Sequence, residues 1–431
     1  MSSFPDTTSD SATSAQTVPT TPSRPPTWLE LHERVRSFAT SYPDLCQVSS
    51  VGTSRGGEDL PLLVIGDGPL KMVVAAGSHP NEPIGGQTII TLAKYLFAHP
   101  AERKRATWYL VPSSDPDGLR LNEKWLTGTW PPTMEAYHRG FYRPEAPAQP
   151  DWTFPFDDGT AAQLPETRAL MKVIDTAEAD AVLSLHSSDS GGSFYMVTRG
   201  EAELVSILAQ AAARNGLPLE AIPSDCIGLE SPGDGVFVLS TPAPPLAGDL
   251  GSDAEWRPAG VSSVAYAARR NGALGVVPEV PMWRTTPITL SAEDGARLQE
   301  AAGELCTGVL DRIAAASTCA TPYLPAVQDV VKILRFMARV SREQPDQSAD
   351  QDLNLLVPLR ASGMLLSHLD AQLAADPQHP VLLRERDLVE KQFSAWLRAA
   401  EHALQPEPIS LSQVVGYQLD TILGVARMLT R

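Results

Sequence analysis

The sequence predicts an α/β fold, with a mixed, mostly parallel sheet flanked by helices and a C-terminal all-α helical bundle. Three observations carry that expectation. Short apolar runs such as KMVVAA and DAVLSL lack the alternation of a half-solvated strand, so they read as strands buried on both faces. Helical segments separate those runs, as in a sheet covered on both sides. From Thr321 onward strand signals cease, and amphipathic segments follow one another across turns containing Pro or Asp.

Taken in order, residues 1–26 form a Ser-, Thr- and Pro-rich tail too polar to bury a core, and are expected to be disordered. Residues 27–320 are expected to form the α/β unit, and 321–431 the helical one. The α/β unit opens with a helix over Trp28 to Pro43, where Leu29, Leu31, Val35 and Phe38 recur at near-helical spacing. Strands follow at CQVSSVG, DLPLLVIG and KMVVAAG, then a helix from Ile84 to Phe97 and a strand at ATWYLVP. Between Leu126 and Gly159 lies a long stretch without clear period. Its aromatic residues (Trp130, Tyr137, Phe141, Tyr142, Trp152, Phe154 and Phe156) favour a packed loop, explained either by packing alone or by a place at the rim of a functional site. A helix from Pro165 to Glu178, strands at DAVLSLH and SFYMVT, a helix from Glu201 to Asn215, a strand at ALGVVPEV and a helix from Ala292 to Ala316 complete the unit. In the C-terminal part, helices are expected over Ala326 to Val340, Leu353 to Ala374, Val381 to Leu404 and Ser410 to Leu429, the last with capping-box spacing at Ser410 and Gln413. His368, His379 and His402 show no ligand spacing there and are expected at the surface.

Composition narrows the function. A net charge of −17 argues against a nucleic-acid partner, because nothing would displace the phosphate counterions. No segment approaches the roughly 18 apolar residues of a membrane span. The N-terminus lacks the apolar run of a secretory leader, and the four cysteines are scattered without a CxxC pair. These features suit a cytoplasmic protein.

The chemistry gathers at strand ends. GSHPNEPIGG, between KMVVAA and a helix, carries His79 and Glu82; His186 directly follows DAVLSL; Glu279 closes ALGVVPEV; Asp115 and Asp117 follow ATWYLVPSS. Open α/β sheets place their ligand crevice at the carboxyl ends of the strands. Two His and one Glu with a fourth position open form a known catalytic zinc set. Asp115 and Asp117 are expected to cap and shape a turn, and His138 to sit at the rim.

These motifs resemble, in order across Trp28 to Ala316, the zinc carboxypeptidase family. VGTSRGGEDLPLLVIG looks like the family's opening hairpin, DPDG resembles its NPDG turn with Asp for Asn, and PETRALMKVID resembles its Pro-Glu helix. The resemblance implies one Zn2+ per chain on His79, Glu82 and His186, with Glu279 as general base. It implies a peptide or small amide substrate carrying an anionic group, and Arg143 in FYRP matches the family's carboxylate-binding Arg. Tyr142 stands where the family has Asn, and Arg257 falls near its mobile Tyr. Arg120 and Lys124 are candidates for the cation that polarises the scissile carbonyl. GSHPNEPIGG is also similar to the HGNEPxG turn of succinylglutamate desuccinylase and aspartoacylase relatives, so deacylation of small N-acyl amino acids is the alternative. An amide-tailoring enzyme of a natural product and a non-catalytic metal-binding scaffold remain further readings.

Overall fold

The computed structural model describes residues 23–156, 159, 163–221, 223, 226, 228–239, 259–343 and 351–431. Residues 1–22 of the expected tail, and Arg257, lie outside the described residues.

In chain order the elements are α1 (Trp28–Ser41), β1 (Cys46–Thr53), β2 (Asp59–Ile65), β3 (Leu70–Ala76), α2 (Ile84–Ala98), α3 (Pro100–Arg105), β4 (Ala106–Val111), α4 (Pro116–Leu126), α5 (Met134–Gly140), α6 (Pro165–Ala177), β5 (Ala181–Leu185) and β6 (Phe194–Val197). Then come α7 (Ala202–Arg214), β7 (Glu230–Gly233), β8 (Val236–Val238), α8 (Ser263–Asn271), β9 (Leu274–Glu279), β10 (Trp283–Arg284), α9 (Ala292–Ile313), α10 (Tyr323–Glu343), α11 (Leu353–Ala375), α12 (Pro380–Leu404), β11 (Glu407–Pro408) and α13 (Leu411–Met428). Local chemistry sets several of these boundaries. Ser410 makes the expected reciprocal capping box on α13, and Thr27 makes another on α1.

One sheet runs in the order β1-β2-β4-β3-β5-β9-β6-β8-β7. Its heart, β4-β3-β5-β9, is parallel, whereas β1 on β2, β2 on β4 and β6 on β9 pair antiparallel. Side chains along β3 alternate between two cores, as the period of two requires. Met72, Val74 and Ala76 join α1 and α2 on one face, and Val73 and Ala75 join α6 and α8 on the other. Each fully buried Val, Leu or Ile contributes about 1.5–3 kcal/mol relative to exposure.

The last helices share the first of these cores. Val309, Leu334, Leu365, Phe393 and Ile422 belong to the same buried cluster as Val74 and Trp108. α13 packs on α2 and α7, and β11 pairs with β10, just beyond β9. α11 is buried nearly all round, as expected of a helix inside a bundle. Among the described residues no helix is long and apolar enough to cross a membrane.

Two histidines differ from expectation. His368 is buried and its Nδ1 lies 2.7 Å from the Thr321 hydroxyl, because α11 faces neighbours on every side. His138 is completely buried rather than at the rim. The stretch without clear period contains α5 and two 3-10 turns (Ala146–Ala148 and Pro150–Trp152), and buries Tyr137, Phe141 and Phe154.

Candidate metal centre

β3, β5 and β9 are neighbours and parallel, so their carboxyl ends open on one side of the sheet. The bend after β3 carries His79 and Glu82, closed by a hydrogen bond from the Glu82 amide to the His79 carbonyl (3.0 Å). α2 begins two residues after Glu82 and lies tight against the sheet. A Cβ on Gly85 would come within 2.9 Å of Ala76 Cβ and 3.0 Å of Leu185 Cβ, so glycine is what permits that approach. His186 follows β5 directly, and Glu279 is the last residue of β9.

The three elements thereby bring together His79, Glu82 and His186, whose ligand atoms all lie within 4.8 Å of one another. All three are buried. His186 Nδ1 is 3.1 Å from Glu82 Oε2 and 3.7 Å from Glu279 Oε1. Its Nε2 lies 3.1 Å from Asp151 Oδ2 and 2.9 Å from Ser184 Oγ. A proton on Nε2 satisfies the carboxylate, and Nδ1 then presents its lone pair to the centre. Neither His79 Nδ1 nor His186 Nδ1 has a hydrogen-bond partner. Buried nitrogens are rarely left so, and two of them beside a carboxylate fit a zinc ion.

The electrostatics agree with a cation site. Burial opposes a charge on His186, but the carboxylates of Asp151, Glu82 and Glu279 outweigh it and raise its pKa well above the ordinary value. Any cation at that point gains the same attraction. His79 is pushed the other way, by burial first and then by the charges of Arg143, His186 and Arg360. It stays neutral, as a ligand must.

Of the other sequence-derived candidates, Arg143 reaches the centre, with Nη1 3.6 Å from Glu82 Oε1 and Nε donating to Gln149 Oε1 (3.3 Å). Tyr142 is buried with its ring edge-on to Tyr323 of α10 (5.4 Å between centroids). Arg120 is exposed and pairs with Glu58 (2.7 Å). Lys124 is exposed on α4. Asp115 caps α4 by accepting the Gly118 amide (2.9 Å), and Asp117 accepts the Ser54 hydroxyl and the Gly56 amide; both shape the turn as expected.

Residues that the sequence did not single out complete the surroundings. Asp151 holds His186 and is itself held by the Ser263 amide (2.8 Å). Tyr417 and Gln418 of α13 donate to the carbonyls of Glu279 (3.2 Å) and His186 (3.0 Å). Only the position of Asp151 in the aromatic-rich stretch hinted at a role; Tyr417 and Gln418 carried no signal, since nothing in local spacing tells a helix which strand end it will meet.

Residues 31–203 match the family model described as zinc carboxypeptidase. The matched segment contains His79, Glu82, Arg143 and His186, and the match supports a zinc carboxypeptidase-like hydrolase. A search of curated proteins found no match. Among solved structures, bovine thrombin-activatable fibrinolysis inhibitor in complex with tick carboxypeptidase inhibitor is similar at 13% identity, with a TM-score of 0.39, over 60% of this chain and 86% of that one. A metallo-carboxypeptidase from Burkholderia cenocepacia is similar at 17% identity and a TM-score of 0.37, over 58% of this chain and 59% of that one.

Proposed function

We propose that the protein hydrolyses an amide or peptide bond in the manner of a zinc carboxypeptidase, with one zinc per chain on His79, Glu82 and His186. The observation that carries this reading is the convergence of those donors beside Glu279, a carboxylate outside the ligand set and 3.7 Å from His186 Nδ1. His79, Glu82 and His186 would hold the zinc, which would supply polarisation of the substrate carbonyl and a water acidic enough to ionise near neutral pH. Glu279 would take a proton from the attacking water and return it to the leaving amine, and its 3.7 Å distance from His186 Nδ1 supports that role. Arg143, less than one-third exposed and beside Glu82, suits a carboxylate on the substrate. Arg120 and Lys124 remain candidates for stabilising the oxyanion, and Arg257 for contacting substrate. Cys46, Cys226, Cys306 and Cys319 form no disulfide, which suits the reducing cytoplasm.

Deacylation of a small N-acyl amino acid is the second reading, and Tyr142 favours it. With its ring packed on Tyr323, the Asn-Arg pair that grips a peptide's terminal carboxylate is reduced to Arg143.

The experiment is metal content by elemental analysis of wild type and His79→Ala, followed by hydrolysis of short peptides against N-acyl amino acids. About one zinc per wild-type chain, lost in the variant, is expected. Absence of zinc from wild type after metal is supplied would overturn the reading, and the substrate panel divides its two forms.

A further inference from the structure

The two ligand-bearing loops are connected behind the metal centre through a buried hub. Asn81, between His79 and Glu82, donates from Nδ2 to the Tyr137 hydroxyl (3.2 Å). Tyr137 donates in turn to Asp189 Oδ1 (2.7 Å), three residues beyond His186. Asp189 is 2% exposed, and an ionised carboxylate that deep is costly without a counter-charge. Arg360 of α11 supplies the charge: its Nε and Nη2 lie 3.0 and 2.7 Å from Asp189 Oδ2. Burial opposes ionisation of Asp189, yet Arg360 and His138 hold its pKa well below the ordinary value.

α11 can deliver Arg360 because it passes unusually close to α5. A Cβ on Gly363 would collide with the His138 carbonyl oxygen. α13 makes a second connection. Gln418 donates to the His186 carbonyl and accepts from the Thr88 hydroxyl of α2 (2.6 Å), the helix that starts just after Glu82. Arg360 thus holds the Asp189 that Tyr137 links to Asn81, and Gln418 ties the His186 carbonyl to α2.

From this arrangement we infer that the C-terminal helices brace the metal centre, with Arg360 and Gln418 as positioning residues that hold the His79–Glu82 bend and the His186 loop in register. The inference rests on the zinc reading above and assigns the C-terminal helices a role in metal binding. It also lies beyond the segment matched to the family, which ends at residue 203. Partners one shell removed from a metal typically change its affinity by about 10- to 100-fold.

The test uses the full chain: wild type, Arg360→Met, Arg360→Lys and Gln418→Met, with the zinc dissociation constant measured by chelator competition and the visible spectrum of the Co2+ form recorded. Zinc affinity is expected to fall about tenfold or more in Arg360→Met and Gln418→Met, with an altered Co2+ spectrum, and to recover in part in Arg360→Lys. Should Arg360→Met fail to fold around an unpaired Asp189, the double variant Arg360→Met with Asp189→Asn removes that charge and the same loss of affinity is expected. Folded variants with wild-type affinity and an unchanged Co2+ spectrum would overturn the brace while leaving the zinc reading intact. A wild type that binds no zinc would overturn both.

Discussion

Asp151 Oδ2 and His186 Nε2 lie 3.1 Å apart, and the other oxygen of Asp151 accepts the Ser263 amide at 2.8 Å. The carboxylate therefore fixes both the tautomer and the plane of the imidazole, leaving Nδ1 to face Glu82. Asp151→Ala is expected to bind zinc about 10- to 100-fold more weakly than wild type. Chelator competition measures this, and an unchanged dissociation constant would remove Asp151 from the centre.

Glu279 closes β9 and has its carboxylate near the ligand set but outside it. Glu279→Gln keeps shape and hydrogen-bonding capacity while losing the base. Zinc content should stay at the wild-type level while kcat falls about 10²- to 10⁴-fold. Steady-state kinetics beside elemental analysis decide the matter, and full activity in the variant would be incompatible with the role of base.

The role proposed for Arg143 is to hold an anionic group of the substrate. Arg143→Met should raise KM about tenfold or more for a substrate ending in a carboxylate, from loss of a charged hydrogen bond. The corresponding neutral amide should be affected little. Equal effects on both would point instead to a role in holding Glu82, 3.6 Å away.

Asp115 yields a pH prediction of defined sign. Burial raises its pKa to about 7, partly offset by the Gly118 amide. Below the ordinary value near 3.8 both folded and unfolded chains are protonated, and the group's stabilising contribution is complete. Between there and about 7 the unfolded chain releases its proton first, so stability falls as pH rises and levels off above 7. Asp115→Asn has no such proton and can still cap α4. Its stability relative to wild type should therefore grow across that window, by up to about 1.4 kcal/mol per pH unit. Denaturant titrations at several pH values test this, and parallel profiles for the two proteins would contradict it.

The sequence by itself determined the parallel heart of the sheet, the boundaries of most long helices and the candidate metal-binding set. Those features are local: an apolar run without alternation, a capping residue, or a His or Glu placed at the end of a strand. Strand ends are legible because a parallel sheet places them all on one side, whatever the order of the strands. What only the tertiary structure decided is who meets those ligands from elsewhere in the chain. Asp151, Arg360 and Gln418 lie 35, 174 and 232 residues from His186, and no spacing rule spans such distances. His138, expected at the rim, and His368, expected at the surface, are both buried for the same reason, since burial of a polar side chain depends on which helix packs over it. α11 has neighbours on all sides and α13 closes over the ends of β5 and β9; these are properties of packing rather than of pattern.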